Sequence, residues 1–199
     1  MSYSIESITD NCYEGTTCLI NKFNIRDEAK LKELEAMITL AKTSELEKTS
    51  SKQNFNENDY REIHRMLFDT LYDWAGEYRK IDISKKGTFF AEHNKIPELM
   101  KNCFTRLRKH NYFKGMDFNS FVDEIVDVYC TTNYIHPFRE GNGRTQRVFI
   151  TQLIRYNGYD INFSEIDTDY LMLATIQSAH GVTDYLKDIF RKHIKPVSK

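Results

Sequence analysis

Glycine and proline are scarce in this sequence, at 8 and 3 of 199 residues. A turn-rich sandwich or barrel needs more chain reversals than these residues supply, so helices joined by short loops are expected. No apolar run approaches the ~18 residues of a membrane span. The opening residues, Met1-Ser2-Tyr3-Ser4-Ile5-Glu6, lack the basic and apolar regions of a signal peptide. An excess of either charge is missing too. Against 29 acidic residues stand 28 basic ones, a net charge of −1, which disfavours nucleic acid as the main partner because such binders carry a basic excess or stripe. Cys12, Cys18, Cys103 and Cys130 form no CxxC pair, so neither a zinc knuckle nor a redox dithiol is indicated. The expectation is a soluble cytoplasmic chain with inert thiols and no membrane partner.

What remains is ordinary globular material, 40% hydrophobic and 29% charged, forming a single compact domain overall. It divides into an N-terminal extension and helix over 1–54 and a core over 55–199. Residues 1–26 are irregular, with Tyr3, Tyr13 and Phe23 as anchors. Apolar spacing predicts a helix from Asp27 to Glu47, on Leu31, Leu34, Ile38 and Ala41. After a polar loop over 48–58, a second helix runs from Asp59 to Trp74, closed by Gly76. Short alternation between Tyr78 and Ala91, around Lys85-Lys86-Gly87, predicts a β-hairpin, and no other. Further helices are expected at 96–110, 118–134, 144–156 (stopped by Gly158), 168–179 and 184–193, the last capped by Thr183.

The chemistry is concentrated in His136-Pro137-Phe138-Arg139-Glu140-Gly141-Asn142-Gly143-Arg144-Thr145-Gln146-Arg147. Gly141 and Gly143 permit left-handed backbone and close ligand approach. With Asn142 between them, their N–H groups can form an anion-binding concavity at the positive end of the following helix. Arg144 and Arg147 share a helical face and can both reach a polyphosphate. Glu140 suits Mg²⁺, which commonly takes one or two carboxylates plus substrate phosphates. His136 has the reference pKa of a general base near neutrality. Each residue also has a bland reading: a capping or core histidine, a solvated arginine face, an i,i+4 Glu140–Arg144 pair worth about 0.3–0.5 kcal/mol. A merely structural loop has no need of all of them within twelve residues.

This stretch resembles the signature of the Fic family (filamentation induced by cAMP), H-x-F-x-[D/E]-G-N-G-R-x-x-R, at every specified position. The resemblance extends over about 55–193, including Leu71-Tyr72-Asp73-Trp74-Ala75-Gly76-Glu77 and Ile83-Ser84-Lys85-Lys86-Gly87-Thr88-Phe89-Phe90-Ala91. It implies an all-α fold, a Fic-type helical bundle with a short β-hairpin flap over the active-site loop. It also implies transfer of AMP from ATP to a Ser, Thr or Tyr hydroxyl of a target protein. By motif position, His136 would be the general base and Glu140 would hold Mg²⁺. The Gly141-Asn142-Gly143 backbone and the Asn142 side chain would form the anion hole. Arg144 and Arg147 would bind the outer phosphates, and Phe138 would anchor the loop. Lys85, Lys86, Gly87, Thr88, Phe89 and Phe90 would form the flap that aligns the target segment, with Lys85 and Lys86 near the nucleotide.

Many members carry an inhibitory helix with the pattern [S/T]-x-x-x-E-[G/N]. Thr43–Glu47 has the spacing, but Lys48 follows, and Ser2–Glu6, Thr88–Glu92 and Ser120–Glu124 fail at the same place. The sequence therefore resembles the subclass inhibited by a separate small antitoxin. Two rival readings stand: phosphoryl or other nucleotidyl transfer in the same site, or a non-enzymatic binding module working through the flap. Gly143, where the related kinases carry Lys, argues against phosphoryl transfer. An intact His136 argues against pure binding.

Overall fold

Local capping chemistry fixes where most helices begin. The Asp27 carboxylate accepts from the N–H groups of Ala29 and Lys30 at the start of α1 (Glu28–Lys48). Asn56 and Asp59 form a reciprocal capping box on α2 (Glu57–Phe68). Pro97 sits in the first turn of α3 (Ile96–Lys109), and Asp117 caps α4 (Phe118–Ile135). After α5 (Asn142–Tyr156) come α6 (Thr168–Ala179), capped by Asp167, and α7 (Asp184–His193). The computed structural model describes residues 11–48, 54–85 and 87–197, without the side chains of Glu47 and Lys48. Tyr3, Lys86 and the Glu47 carboxylate, all singled out above, lie outside the described residues.

The fold is a helical bundle, as expected. Helices α4 and α5 pack together at its centre; α2 and α1 lie on α5, and α3, α6 and α7 lie on α4. Phe121, Val122 and Ile125 of α4 meet a core shared with Phe149, Ile150 and Leu153 of α5, all essentially without exposed surface. Each such side chain contributes about 1.5–3 kcal/mol by leaving water. That core holds the α4–α5 connection, residues 136–141, against the body of the protein.

Several local expectations give way. Helix α2 stops at Phe68, and Leu71 and Tyr72 are buried from a turn whose N–H groups return to the Phe68 carbonyl. Apolar residues therefore keep helical spacing past the end of the helix. In α1 Leu31, Glu35, Thr39 and Leu46 are buried and Leu34 and Ile38 pack half-buried on the core, while Ala41 is exposed. Phe23, expected as an anchor, is about half exposed, at 47%. Its neighbour Asn21 organises the segment instead, with its amide bonded to the Leu19 and Ile25 carbonyls. Thr183 makes no capping bond because its backbone is right-handed helical, so the hydroxyl is not presented.

The hairpin predicted over 78–91 reduces to β1 (Ser84–Lys85) paired antiparallel with β2 (Thr88–Phe89), with Gly87 at φ +79° in the turn. A second pair, β3 (Tyr159–Asp160) with β4 (Lys195–Pro196), was not expected. Two-residue strands are too short to leave an alternation in the sequence.

Candidate active site

The chain leaves α4 through His136, which adopts left-handed backbone (φ 46°, ψ 59°). A non-glycine residue held there marks local strain of the kind that clusters at functional sites. Its ring stacks on Phe90 of the hairpin, with centroids 3.7 Å apart. The Asn133 carbonyl, 3.2 Å from Nδ1, can only accept, so Nδ1 carries the proton and Nε2 keeps the lone pair. Burial pushes the ring's pKa down to about 3, with Lys85 acting in the same direction against the Asn133 bond. The ring is therefore neutral at physiological pH.

Phe138, two residues on, is fully buried and stacks on His64 of α2 at 3.8 Å. The Asn142 side chain clasps Phe138 from both sides: Oδ1 accepts from its N–H and Nδ2 donates to its carbonyl, each at 2.8 Å. The expectation that the Asn142 amide faces an anion thus meets a different geometry, because both of its polar atoms close the loop.

Gly141, at φ +80°, is the N-cap of α5, and a Cβ there would stand 2.2 Å from Cζ of Phe68. Only glycine fits. The N–H groups of Asn142, Gly143 and Arg144 begin the helix and have no intrahelical partners, which gives the site its anion-attracting end. The Gly141 N–H is bonded to Glu140 Oε1 at 2.9 Å. Burial raises the Glu140 pKa, but that bond and the charges of Arg144 and Lys85 outweigh it, so the net direction is down and the carboxylate is ionised.

A cavity of about 260 Å³ gathers His136, Glu140, Asn142, Gly143 and Arg147 on one side with Lys85, Thr88 and Phe90 of the hairpin. Leu171, Met172 and Ile176 of α6 form its apolar wall. Arg144 stands at its edge, with Nη2 shared between Glu140 Oε1, at 3.4 Å, and Glu35 of α1. A second cavity of about 530 Å³, between α1 and the approach to α6, holds Arg144 and Arg147. Phe89, at 79% exposure, points outward from the hairpin, whereas Phe90 is half-buried on the histidine. Among the described residues no three His, Cys, Asp or Glu side chains form a metal cage. A single ionised carboxylate beside an anion site nevertheless fits Mg²⁺, which takes its remaining ligands from phosphates and water.

Three supporting side chains had no signal in the apolar pattern. Arg79 is buried, donating from its guanidinium to the carbonyls of Ile81, Ala91, Ile135 and His136, so it ties the hairpin base to the loop. His64 is buried with Nδ1 accepting the Gly76 N–H at 2.8 Å, so Nε2–H donates to the Glu140 carbonyl at 3.0 Å. Glu35 of α1 pairs with Arg144.

Burial also depresses the His64 pKa, to about 3. In the unfolded chain both histidines bind protons near pH 6.5, whereas in the fold they do not until about pH 3. Their contribution to stability is therefore complete above pH 6.5 and is lost as pH falls toward 3. We expect each to cost about 2 kcal/mol by pH 5. Urea denaturation at pH 7.5 and pH 5 checks this, and equal stability at the two would remove both neutral assignments.

Residues 54–154 match the Fic/DOC family. The protein adenylyltransferase VbhT of Bartonella schoenbuchensis is 32% identical over 179 residues, 90% of this chain, which spans 37% of VbhT. The probable protein adenylyltransferase y4lH of Sinorhizobium fredii is 33% identical, with 85% of this chain and 88% of y4lH aligned. In three dimensions the chain resembles the BepC protein of Bartonella tribocorum, a VirB-translocated effector crystallised with bound AMPPNP. The TM-score is 0.86 at 27% identity, covering 94% of this chain and 97% of that one.

Proposed function

This chain belongs to the Fic/DOC family, and from that premise we propose that it is a protein adenylyltransferase moving AMP from ATP to a hydroxyl side chain of a target protein. The observation that carries the reading is the single cavity in which a neutral His136, an ionised Glu140, the α5 N-terminus and Arg147 face one another. Each supplies one requirement of transfer at phosphorus, which rests on positioning and charge stabilisation.

The target hydroxyl gives its proton to Nε2 of His136 while its oxygen bonds to the α-phosphorus. The bond from that phosphorus to the bridging oxygen breaks, and pyrophosphate leaves with the electron pair. Nδ1–H stays on the Asn133 carbonyl and holds the ring in place. The N–H groups at the α5 start stabilise the α-phosphate charge, with Arg144 and Arg147 on the outer phosphates. Glu140 would hold Mg²⁺, which, when bound, neutralises and orients the phosphates. The apolar α6 wall suits a nucleobase. Strand β2 leads from Phe89, exposed to a target segment, to Phe90 on the base.

Incubation with ATP labelled in the α-phosphate and a cell lysate tests the reading. A labelled protein whose added mass is that of an adenylyl group is expected, and chelation of Mg²⁺ should stop the labelling. An added phosphate would replace this reading by phosphoryl transfer, and no adduct on any protein would leave a binding module.

Control by a small inhibitory partner, of the toxin–antitoxin kind, is also proposed. The Arg147 side chain makes no hydrogen bond or ion pair among the described residues and lines the 530 Å³ cavity beside α1. A partner helix laid there could set a glutamate on Arg147 as a forked, charge-assisted pair in place of phosphate. Producing the chain alone in a cytoplasm should slow growth, and His136→Ala should relieve it. A Glu47→Gly variant that is strongly more active than the parent would place inhibition within the chain instead.

A further inference from the structure

We infer that Glu35 of α1 is a positioning residue for Arg144, fixing that guanidinium at the edge of the anion site before a nucleotide arrives. The inference rests on the reading of Arg144 as a ligand of an outer phosphate. Glu35 lies 109 residues before Arg144, on a helix outside residues 54–154 that match the family.

The contacts around Arg144 come from three directions. Its Nη2 donates to Glu35 Oε1 and, at 3.4 Å, to Glu140 Oε1. Its Nη1 donates to Thr39 Oγ1 at 3.2 Å, and that hydroxyl donates in turn to the Glu35 carbonyl at 2.7 Å. The guanidinium carbon lies 4.8 Å from the centre of the Phe68 ring. Glu35 is itself immobilised, because Oε2 accepts from the buried Tyr72 hydroxyl at 2.5 Å. A carboxylate at 7% exposure is costly unless its oxygens are bonded, and here each has a partner. Arg147, one turn along α5, has none of this scaffolding.

The consequence for binding follows from conformational freedom. A long, loose arginine must be ordered when an anion binds, whereas an arginine already held in place avoids that loss. Glu35 and Thr39 each bind a different terminal nitrogen, which leaves further N–H groups of the fork for phosphate oxygens. The opposing possibility is that the carboxylate competes with phosphate for the same guanidinium. The two differ in sign.

Calorimetric binding of ADP and of AMP decides between them, since only ADP carries a phosphate beyond the first. Glu35→Ala should weaken ADP about tenfold and leave AMP within about twofold. Glu35→Gln keeps an acceptor for Arg144 and should recover most of that loss. Glu35→Asp keeps the charge but withdraws it by one methylene; it should behave like Glu35→Ala and serves in its place if the alanine variant does not fold. In an Arg144→Ala background, Glu35→Ala should cost nothing further. Tighter ADP binding in the variants would make Glu35 a competitor and overturn the inference. Equal losses for ADP and AMP, or additive losses in the double variant, would reduce it to a structural contact and overturn it as well. No arm requires transfer. A chain that moved no AMP yet showed this pattern would sink the transferase reading and leave Glu35 in its role.

Discussion

Replacing His136 by alanine is expected to lower AMP transfer by about 10²–10⁴-fold, the usual contribution of a positioned general base. Nucleotide affinity should hold within about twofold, because the imidazole accepts a proton from the incoming hydroxyl and the phosphates are held elsewhere. The tautomer makes the expectation specific. With Nδ1–H on the Asn133 carbonyl, the lone pair is on Nε2, and among the described residues no other imidazole lines the cavity. Transfer measured under saturating ATP, with binding followed separately by calorimetry, separates the two effects. Activity within about threefold of the parent, far short of that range, would remove His136 as the base. A large loss of nucleotide affinity with unchanged turnover would make it a binding residue.

The loop was legible because its chemistry is contiguous. His136, Glu140, the two glycines and both arginines fall within twelve residues, so their meeting in space follows from one turn and the start of one helix. The bundle was legible for a related reason, since buried apolar residues mark helical faces wherever the core is apolar. What escaped is polar and distant. Glu35 and Thr39 continue the helical spacing of Leu31 on the inward face of α1, but as polar residues they subtract from an apolar stripe. Ala41, apolar and in step with Leu34 and Ile38, is exposed. His64 lies between Ile63 and the Leu67 turn of α2, yet its purpose depends on the Glu140 carbonyl 76 residues later. The apolar spacing runs past the end of α2 because Leu71 and Tyr72 are buried from a turn as deeply as from a helix. A buried polar side chain is placed by its partners, and those are set only once the chain has folded.

Arg79 is where that dependence is greatest, and Arg79→Ala is expected to cost at least about 3 kcal/mol of stability. Its guanidinium donates to four carbonyls, two from the hairpin base and two from the end of α4, and it is buried while doing so. Alanine would leave those carbonyls without their charged donor in a place water reaches poorly, and each orphaned group carries a penalty of about 1–3 kcal/mol. Against a typical total of about 5–15 kcal/mol, the loss is a substantial fraction. Arg79→Lys separates charge from geometry: an ammonium on a flexible stem cannot span four acceptors that a planar fork reaches, so lysine should recover less than half. The same bonds hold the His136 carbonyl, and with it the ring that stacks on Phe90. Turnover should therefore fall in the fraction that remains folded, since a displacement near 1 Å from productive geometry can cost about 10²-fold. Urea denaturation gives the first quantity and transfer at low temperature gives the second. A stability loss under about 1 kcal/mol, typical of an ordinary single hydrogen bond, would mean that the hairpin and the loop are joined by other contacts and that Arg79 is not what holds the base in place.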